Sequence, residues 1–351
     1  MRCKSLLLFF ILLGLFSPFG GRTEGQDGSA LRVVVNMVQL NVAVTDNNGN
    51  YVTGLHPEDF VITEDGITEK PATFAEGDAP ARSVVAEAVD GQMANSTAHG
   101  MDQAADSPPN FSSLIAGSNI FILFDTSNYM YRDFVFAEDA ISEFVHALES
   151  ANKIAFYSYS RDLSRAVLPT SDRAQVLRGV RSTVAGDSAA LYNALLLTVK
   201  DAAQYTGRRI VVVFSNGPDN SSVVPPEDVA ELAQFAGVSV YMISTQEAQL
   251  EPISTAVFER MTAVTGGKAY FAKSWRDERR AFASIQDDLA HLYSLSYYPK
   301  ANPNTGWRAI TVKLVGDKAK KYKVRTRNGY RLQRTRFSSN PRSAAPDAKP
   351  E

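Results

Sequence analysis

The chain has 351 residues, 44% hydrophobic and 21% charged, with 36 Lys and Arg against 38 Asp and Glu. That balance allows a sizeable core and excludes global disorder, collagen and coiled coil; a net charge of −2 carries no basic excess for nucleic acid. One Cys and four scattered His (His56, His99, His146, His291) exclude a disulfide framework and a thiolate cluster, and argue against a histidine metal site.

Arg2 and Lys4 precede an apolar run, Leu6 to Phe16, which breaks at Ser17-Pro18 and Gly20-Gly21. The run is about eleven residues, short of the roughly 20 that span a bilayer as a helix. The pattern is that of an export signal over residues 1–25, so the expected location is periplasmic or extracellular. A retained anchor is the other reading. Cys3 lies before the apolar run, so it is not placed as a lipoprotein cysteine.

Residues 31–74 read as β, with alternation at Val33, Val35, Met37, Val42 and Val44 and turn clusters at Asp46–Asn50 and Glu64-Asp65-Gly66. Residues 75–117 are rich in Ala, Ser, Asp, Gly and Pro and read as a flexible linker. Asn95-Ser96-Thr97 and Asn110-Phe111-Ser112 fit a glycosylation pattern. Residues 118–292 alternate strand and helix patterns. Asn119–Phe124 (NIFILF), Ile154–Tyr159, Arg209–Phe214 (RIVVVF) and Val238–Ile243 are continuous apolar strands separated by helical spacings. This predicts a doubly wound α/β fold with a mostly parallel sheet covered on both faces. Chemistry then sits at the carboxyl ends of the strands. Residues 293–333 return to β, and 334–351 read as a disordered tail. Neither β flank has enough strands for its own core, so they are predicted to pair into one β-sandwich, with the α/β domain inserted between them.

Three loops fall at strand ends or helix entries: Asp125-Thr126-Ser127-Asn128-Tyr129, Gly186–Ala194 and Ser215–Asn220. In their order and placing they resemble the von Willebrand factor type A domain, over roughly residues 118–292. Thr265-Gly266-Gly267 and Leu191-Tyr192-Asn193-Ala194 support the likeness. The flanks extend it. Val52–Gly66, Tyr293–Pro299, Trp307–Lys313 and Arg327–Tyr330 resemble the terminal regions of exported acidobacterial-type proteins carrying a type-A-related domain.

The resemblance implies a metal-ion-dependent adhesion site, in which loop hydroxyls and carboxylates hold Mg²⁺ or Mn²⁺ and a partner's carboxylate completes the shell. This sequence departs from that pattern. Asp125 and Ser127 are kept, but Tyr129 stands where the family has Ser. Ala189 stands at the family's Thr, with Ser188 adjacent, and Asn216 at its Asp. Asn offers a carbonyl oxygen and no charge. Asp187 and Asp219 are candidates to compensate. The site is therefore expected to be degenerate, with no certain cofactor and a divalent cation as the open alternative. In the degenerate reading, Asp125 and Ser127 satisfy loop N–H groups.

Thr265-Gly266-Gly267-Lys268 fails the phosphate-loop spacing, and no Gly-x-Ser-x-Gly elbow is present. Lys321, Lys323, Arg325 and Arg327 alternate and are expected on one solvated strand face. Tyr293, Tyr297, Tyr298 and Trp307 are read as core and strand packing. The leading functional expectation is a non-enzymatic exported module that binds another protein in adhesion or assembly. Two alternatives stand beside it: a structural envelope protein meeting an anionic surface through its basic β face, and a hydrolase using a carboxylate.

Overall fold

The computed structural model describes residues 37–84, 117–130, 134–148, 151–215, 217–245 and 252–332. The signal segment, the two glycosylation triplets, Asn216 and the tail from 334 lie outside the described residues.

The first flank gives β1 (Val38–Thr45), β2 (Phe60–Glu64), β3 (Ile67–Glu69), β4 (Pro71–Glu76) and β5 (Arg82–Ser83). Asp65 and Gly66 connect β2 to β3 with φ of 49° and 81°. A two-residue primed hairpin turn needs that pair of positive values, which is why Asp-Gly is there. The linker reading is corrected over residues 75–83. Strand β4 runs on to Glu76 and pairs with β5 at Thr73–Ser83 and Phe74–Arg82. Small residues gave no alternation to read there, and the pairing supplies what side chains do not.

The middle of the chain gives β6 (Ser118–Asp125), α1 (Phe134–Ala147), β7 (Ala151–Tyr159), β8 (Leu163–Thr170), α2 (Arg173–Arg181) and α3 (Leu191–Ala202). Then come β9 (Arg208–Ser215), α4 (Pro226–Ala236), β10 (Val238–Ser244), α5 (Pro252–Thr265), β11 (Ala269–Phe271) and α6 (Trp275–Ala290). The strands form one sheet in the order β11-β10-β9-β6-β7-β8, parallel except for β8, which runs against β7. Strand β6 is buried along its whole length because both faces are covered. Ile120, Ile122 and Phe124 face the layer of α1, α2 and α6; Phe121 and Leu123 face α3, α4 and α5. Each such side chain contributes about 1.5–3 kcal/mol of burial. Helix α4 starts at Pro226 with Glu227 and Asp228 in its first turn, and stops at Gly237, whose φ of 63° suits a residue without Cβ.

The second flank gives β12 (Tyr293–Tyr297), β13 (Trp307–Leu314), the short α7 (Lys318–Lys321), β14 (Lys323–Arg325) and β15 (Gly329–Arg331). The flanks interleave into two antiparallel sheets, β14-β1-β12-β4-β5 and β15-β13-β2-β3. Strand β12 lies between β1 and β4, with Leu40 opposite Leu295 and Leu295 opposite Phe74. Leu40, Ile62, Phe74, Tyr293, Leu295 and Val312 close a shared sandwich core. Within it the buried Glu64 accepts from the Tyr297 and Tyr330 hydroxyls and pairs with Arg308 at 2.7 Å.

The basic stretch of the second flank is not a single solvated face. Lys318–Lys321 is helical, and only Lys323 of the strand is fully exposed. Arg325 forms an ion pair with the wholly buried Asp288 of α6, and Asp288 also accepts from the hydroxyls of Tyr241 and Tyr51. Arg327 is 6% exposed and donates to the carbonyls of Gln234 and Gln39. Strand periodicity suggested water on that side. Instead, the starts of β9, β10 and β11 lie there: Asn41 Nδ2 donates to Ser239 Oγ, and Arg208 donates to Asp78 and to the Leu289 carbonyl. The sandwich thus covers the end of the sheet opposite the carboxyl ends of its strands. Tyr293 and Tyr297 are core, while Tyr298 is 45% exposed.

Candidate functional site

Asp125 closes β6 and is wholly buried. Its Oδ1 accepts the Ser127 N–H at 2.9 Å, and its Oδ2 accepts the Ser215 hydroxyl at 2.9 Å. Ser215, the last residue of β9, accepts in turn from the Tyr159 hydroxyl at 3.0 Å and from the Gly217 N–H at 3.1 Å. Tyr159 is the last residue of β7. One carboxylate therefore ties the ends of three adjacent strands. Among the described residues it has no ion-pair partner. Burial pushes its carboxyl up from the ordinary value, and the hydrogen bonds from Ser127, Ser215 and Tyr159 only partly offset this. The Tyr159 phenol is also pushed well up, first by burial and then by the Asp125 charge. The Ser127 hydroxyl is buried beside the carboxylate and finds no partner in hydrogen-bonding geometry.

The second loop lies edge to edge with the first. The Gly186 N–H donates to the Thr126 carbonyl at 2.7 Å, and the Asn128 N–H to the Asp187 carbonyl at 3.0 Å. A Cβ at Gly186 would stand 2.4 Å from the Ser160 side chain, so only glycine permits this approach. Asp187 is exposed, Ser188 half-buried and Ala189 buried.

Helix α3 begins without a capping side chain of its own, because its N-cap is Ala190. The third loop supplies the cap. Asp219 Oδ2 accepts the Tyr192 N–H at 3.0 Å, while its Oδ1 accepts the N–H groups of Ser221 and Ser222 at 3.2 and 2.8 Å. Asn220 Oδ1 accepts the Ala189 N–H at 3.0 Å, and its Nδ2 donates to the Tyr129 hydroxyl at 3.1 Å. Asn193 answers from the helix, its Oδ1 accepting the N–H groups of Val223 and Val224.

The structure therefore gathers Asp125, Ser127, Tyr129, Asp187, Ser188 and Asp219 at one end of the sheet, and Asn216 lies outside the described residues. Ser215, Tyr159 and Asn220 belong to the same network without having been singled out from the sequence. Ser215 sits one position before the residue that the family pattern marks, and Tyr159 ends an apolar strand that carries no motif. Asn220 lies within the loop already picked out.

The donor set does not fit a bound Mg²⁺ or Mn²⁺. Asp125 is the one carboxylate at the base of the loops, and it is already held by two neutral donors. Both oxygens of Asp219 hold backbone N–H groups, the Tyr129 hydroxyl holds Asn220, and Ala189 offers a methyl group. Among the described residues no group of three or more His, Cys, Asp or Glu could hold a metal ion. A hard divalent cation wants six oxygens; here Asp125, Asp219 and Tyr129 are engaged with protein groups, and of the loop hydroxyls Ser127 is the one buried without a partner among the described residues.

Residues 119–287 match the family model of the von Willebrand factor type A domain. This part of the chain is a type A domain. Domains of the family are typically protein-interaction and adhesion modules, some with a metal-ion-dependent adhesion site. Among solved structures, the chain is similar to an aerotolerance-related membrane protein of Bacteroides fragilis, at 16% identity, covering 49% of this chain and 99% of that one, with a TM-score of 0.41. It is also similar to the vWF domain of the type V pili tip protein Mfa5 of Porphyromonas gingivalis, at 12% identity, with coverage of 49% and 94% and a TM-score of 0.43. Proximal thread matrix protein 1 of the mussel byssus, solved with a zinc-occupied MIDAS motif, matches at 15% identity with coverage of 50% and 48% and a TM-score of 0.42. A search of curated proteins finds no match. No helix among the described residues is long and apolar enough to cross a membrane.

Proposed function

We propose that the chain is a non-enzymatic, exported protein-binding module whose type A domain docks its partner at the loops of Asp125, Ser188 and Asn216 without a metal. The observation that carries this reading is the position of Asp219. A carboxylate that could have joined Asp125 around an ion has its two oxygens on three backbone N–H groups at the entry of α3. What the loops present to a partner is then the exposed Tyr129, Asp187 and Asn220 around a rigid hydrogen-bonded base. Such a surface of polar and aromatic groups on fixed loops suits protein recognition. Among the described residues no acid–base pair aimed at an open space accompanies it, which is why the hydrolase reading is not preferred. The burial of Arg325 and Arg327 removes much of the basic face that an envelope-surface role required.

The test is calorimetric titration of Mg²⁺ and Mn²⁺ into the chelator-stripped protein, beside an Asn216→Asp variant. Silence in the wild type with binding in the variant supports a type A scaffold whose metal function is absent. Sub-millimolar binding by the wild type overturns the metal-free reading and directs the partner search to an acidic side chain.

A further inference from the structure

A second surface lies away from these loops, where the type A domain meets the sandwich. A groove of about 200 Å³ runs between α4, α5 and the β13–β15 pair. Its apolar lining is Ala230, Val257, Met261, Val264 and Trp307. Trp307 is half-buried, its ring rests on Gly329, and its indole N–H makes no hydrogen bond among the described residues. Gly329 is needed for that contact, since a Cβ there would stand 2.5 Å from the ring. The rim carries Glu227 and Glu231 of α4, both exposed, together with Arg260 of α5 and Arg331 of β15. Glu231 pairs with Arg331 of β15 at 2.9 Å, and Glu227 with Arg260. Pairs this exposed are worth little and exchange easily.

The chain itself comes out at this groove. Leu332, next to the lining residue Arg331, donates its N–H to the Gly306 carbonyl, beside Trp307. The residues that follow are Gln333-Arg334-Thr335-Arg336-Phe337. Phe337 is the first apolar side chain after Leu332. Five extended residues reach about 17 Å, enough to bring an aromatic ring back across the indole. We propose that the groove is the docking site of the chain's own segment Gln333–Phe337, with Phe337 against Trp307. Arg334 and Arg336 then compete with Arg331 and Arg260 for Glu231 and Glu227, and the indole N–H gains a backbone carbonyl. The segment acts as a strap from the last strand of the sandwich onto two helices of the type A domain.

The chain has two Trp, so a Trp275→Phe background leaves Trp307 as the reporter. Acrylamide quenching and the emission maximum are compared for the full chain, a chain ending at Leu332, and Phe337→Ala. The expected result is stronger quenching and a red-shifted emission in both altered chains. A Gln333–Phe337 peptide added to the shortened chain should restore the protection. Phe337→Ala keeps the whole backbone, so it separates loss of the plug from loss of folding. Equal quenching in all three chains overturns the proposal. Protection in the full chain that fades on dilution also overturns it, because a second copy is then the occupant.

Discussion

Ser215 donates its hydroxyl to Asp125 at 2.9 Å while accepting the Tyr159 hydroxyl at 3.0 Å. The carboxylate at the end of β6 is thus held by neutral groups alone, and its folded-state pKa lies above the ordinary 3.8. The folded protein keeps the Asp125 proton over a range where the unfolded chain has lost it. This contribution to stability is full below 3.8 and is lost as pH rises through the folded value. The stability difference between wild type and Asp125→Asn should therefore fall as pH rises from 3.8. Thermal unfolding of both across an acid-to-neutral series checks it, and a flat difference would show that the carboxyl titrates normally.

Tyr159→Phe removes the outermost donor of the same chain of hydroxyls. Ser215 keeps Gly217 and Asp125 as partners, so the loss should be that of one hydrogen bond, about 0.5–1.5 kcal/mol. The raised Asp125 carboxyl should move further up, because Tyr159 helps to hold it down. Urea unfolding gives the first quantity, and the shift of the acid limb of the stability profile gives the second.

Asp219→Ala leaves the N–H groups of Tyr192, Ser221 and Ser222 without their acceptor. A lost cap costs about 0.5–2 kcal/mol, and this one also holds a neighbouring loop, so a value at the upper end is expected. Asp219→Asn keeps an acceptor oxygen and should recover part of it. If instead Asp219→Ala left stability unchanged while altering cation binding, the carboxylate would be a ligand and not a cap.

Asp288→Ala tests the joint between the two domains. Asp288 is wholly buried and receives Arg325 of β14, Tyr241 of β10 and Tyr51 of the loop after β1. Removing one side of a buried pair strands the other, at about 3–5 kcal/mol. The wild type is expected to unfold in one transition, and in the variant the type A domain and the sandwich should unfold in two. Calorimetry that still showed one transition at wild-type temperature would refute this role.

The α/β fold was legible because β6, β9 and β10 are covered on both faces, and NIFILF and RIVVVF show it as unbroken apolar runs. The position of the loops followed from the same strands. What the residues do within those loops did not. Asp219 looks like a spare ligand in sequence, because the helix N–H that it accepts, that of Tyr192, lies 27 residues earlier. Arg325 and Arg327 alternate like a solvated edge, and only the docking of a second domain puts them inside. Residues 75–83 looked like linker because β4 and β5 are held by backbone pairing that composition does not encode.

The insertion has a temporal side. Among the described residues the sheet partners of strand β1 are β12 and β14, and Leu40 meets Leu295 only after the whole type A domain has been made. As the chain emerges end first, its opening strand stays unpaired while the inserted domain folds, and the sheet closes last. Such long-range pairing is slow. The type A domain, with its more local contacts, is then the template on which the surrounding sandwich is completed.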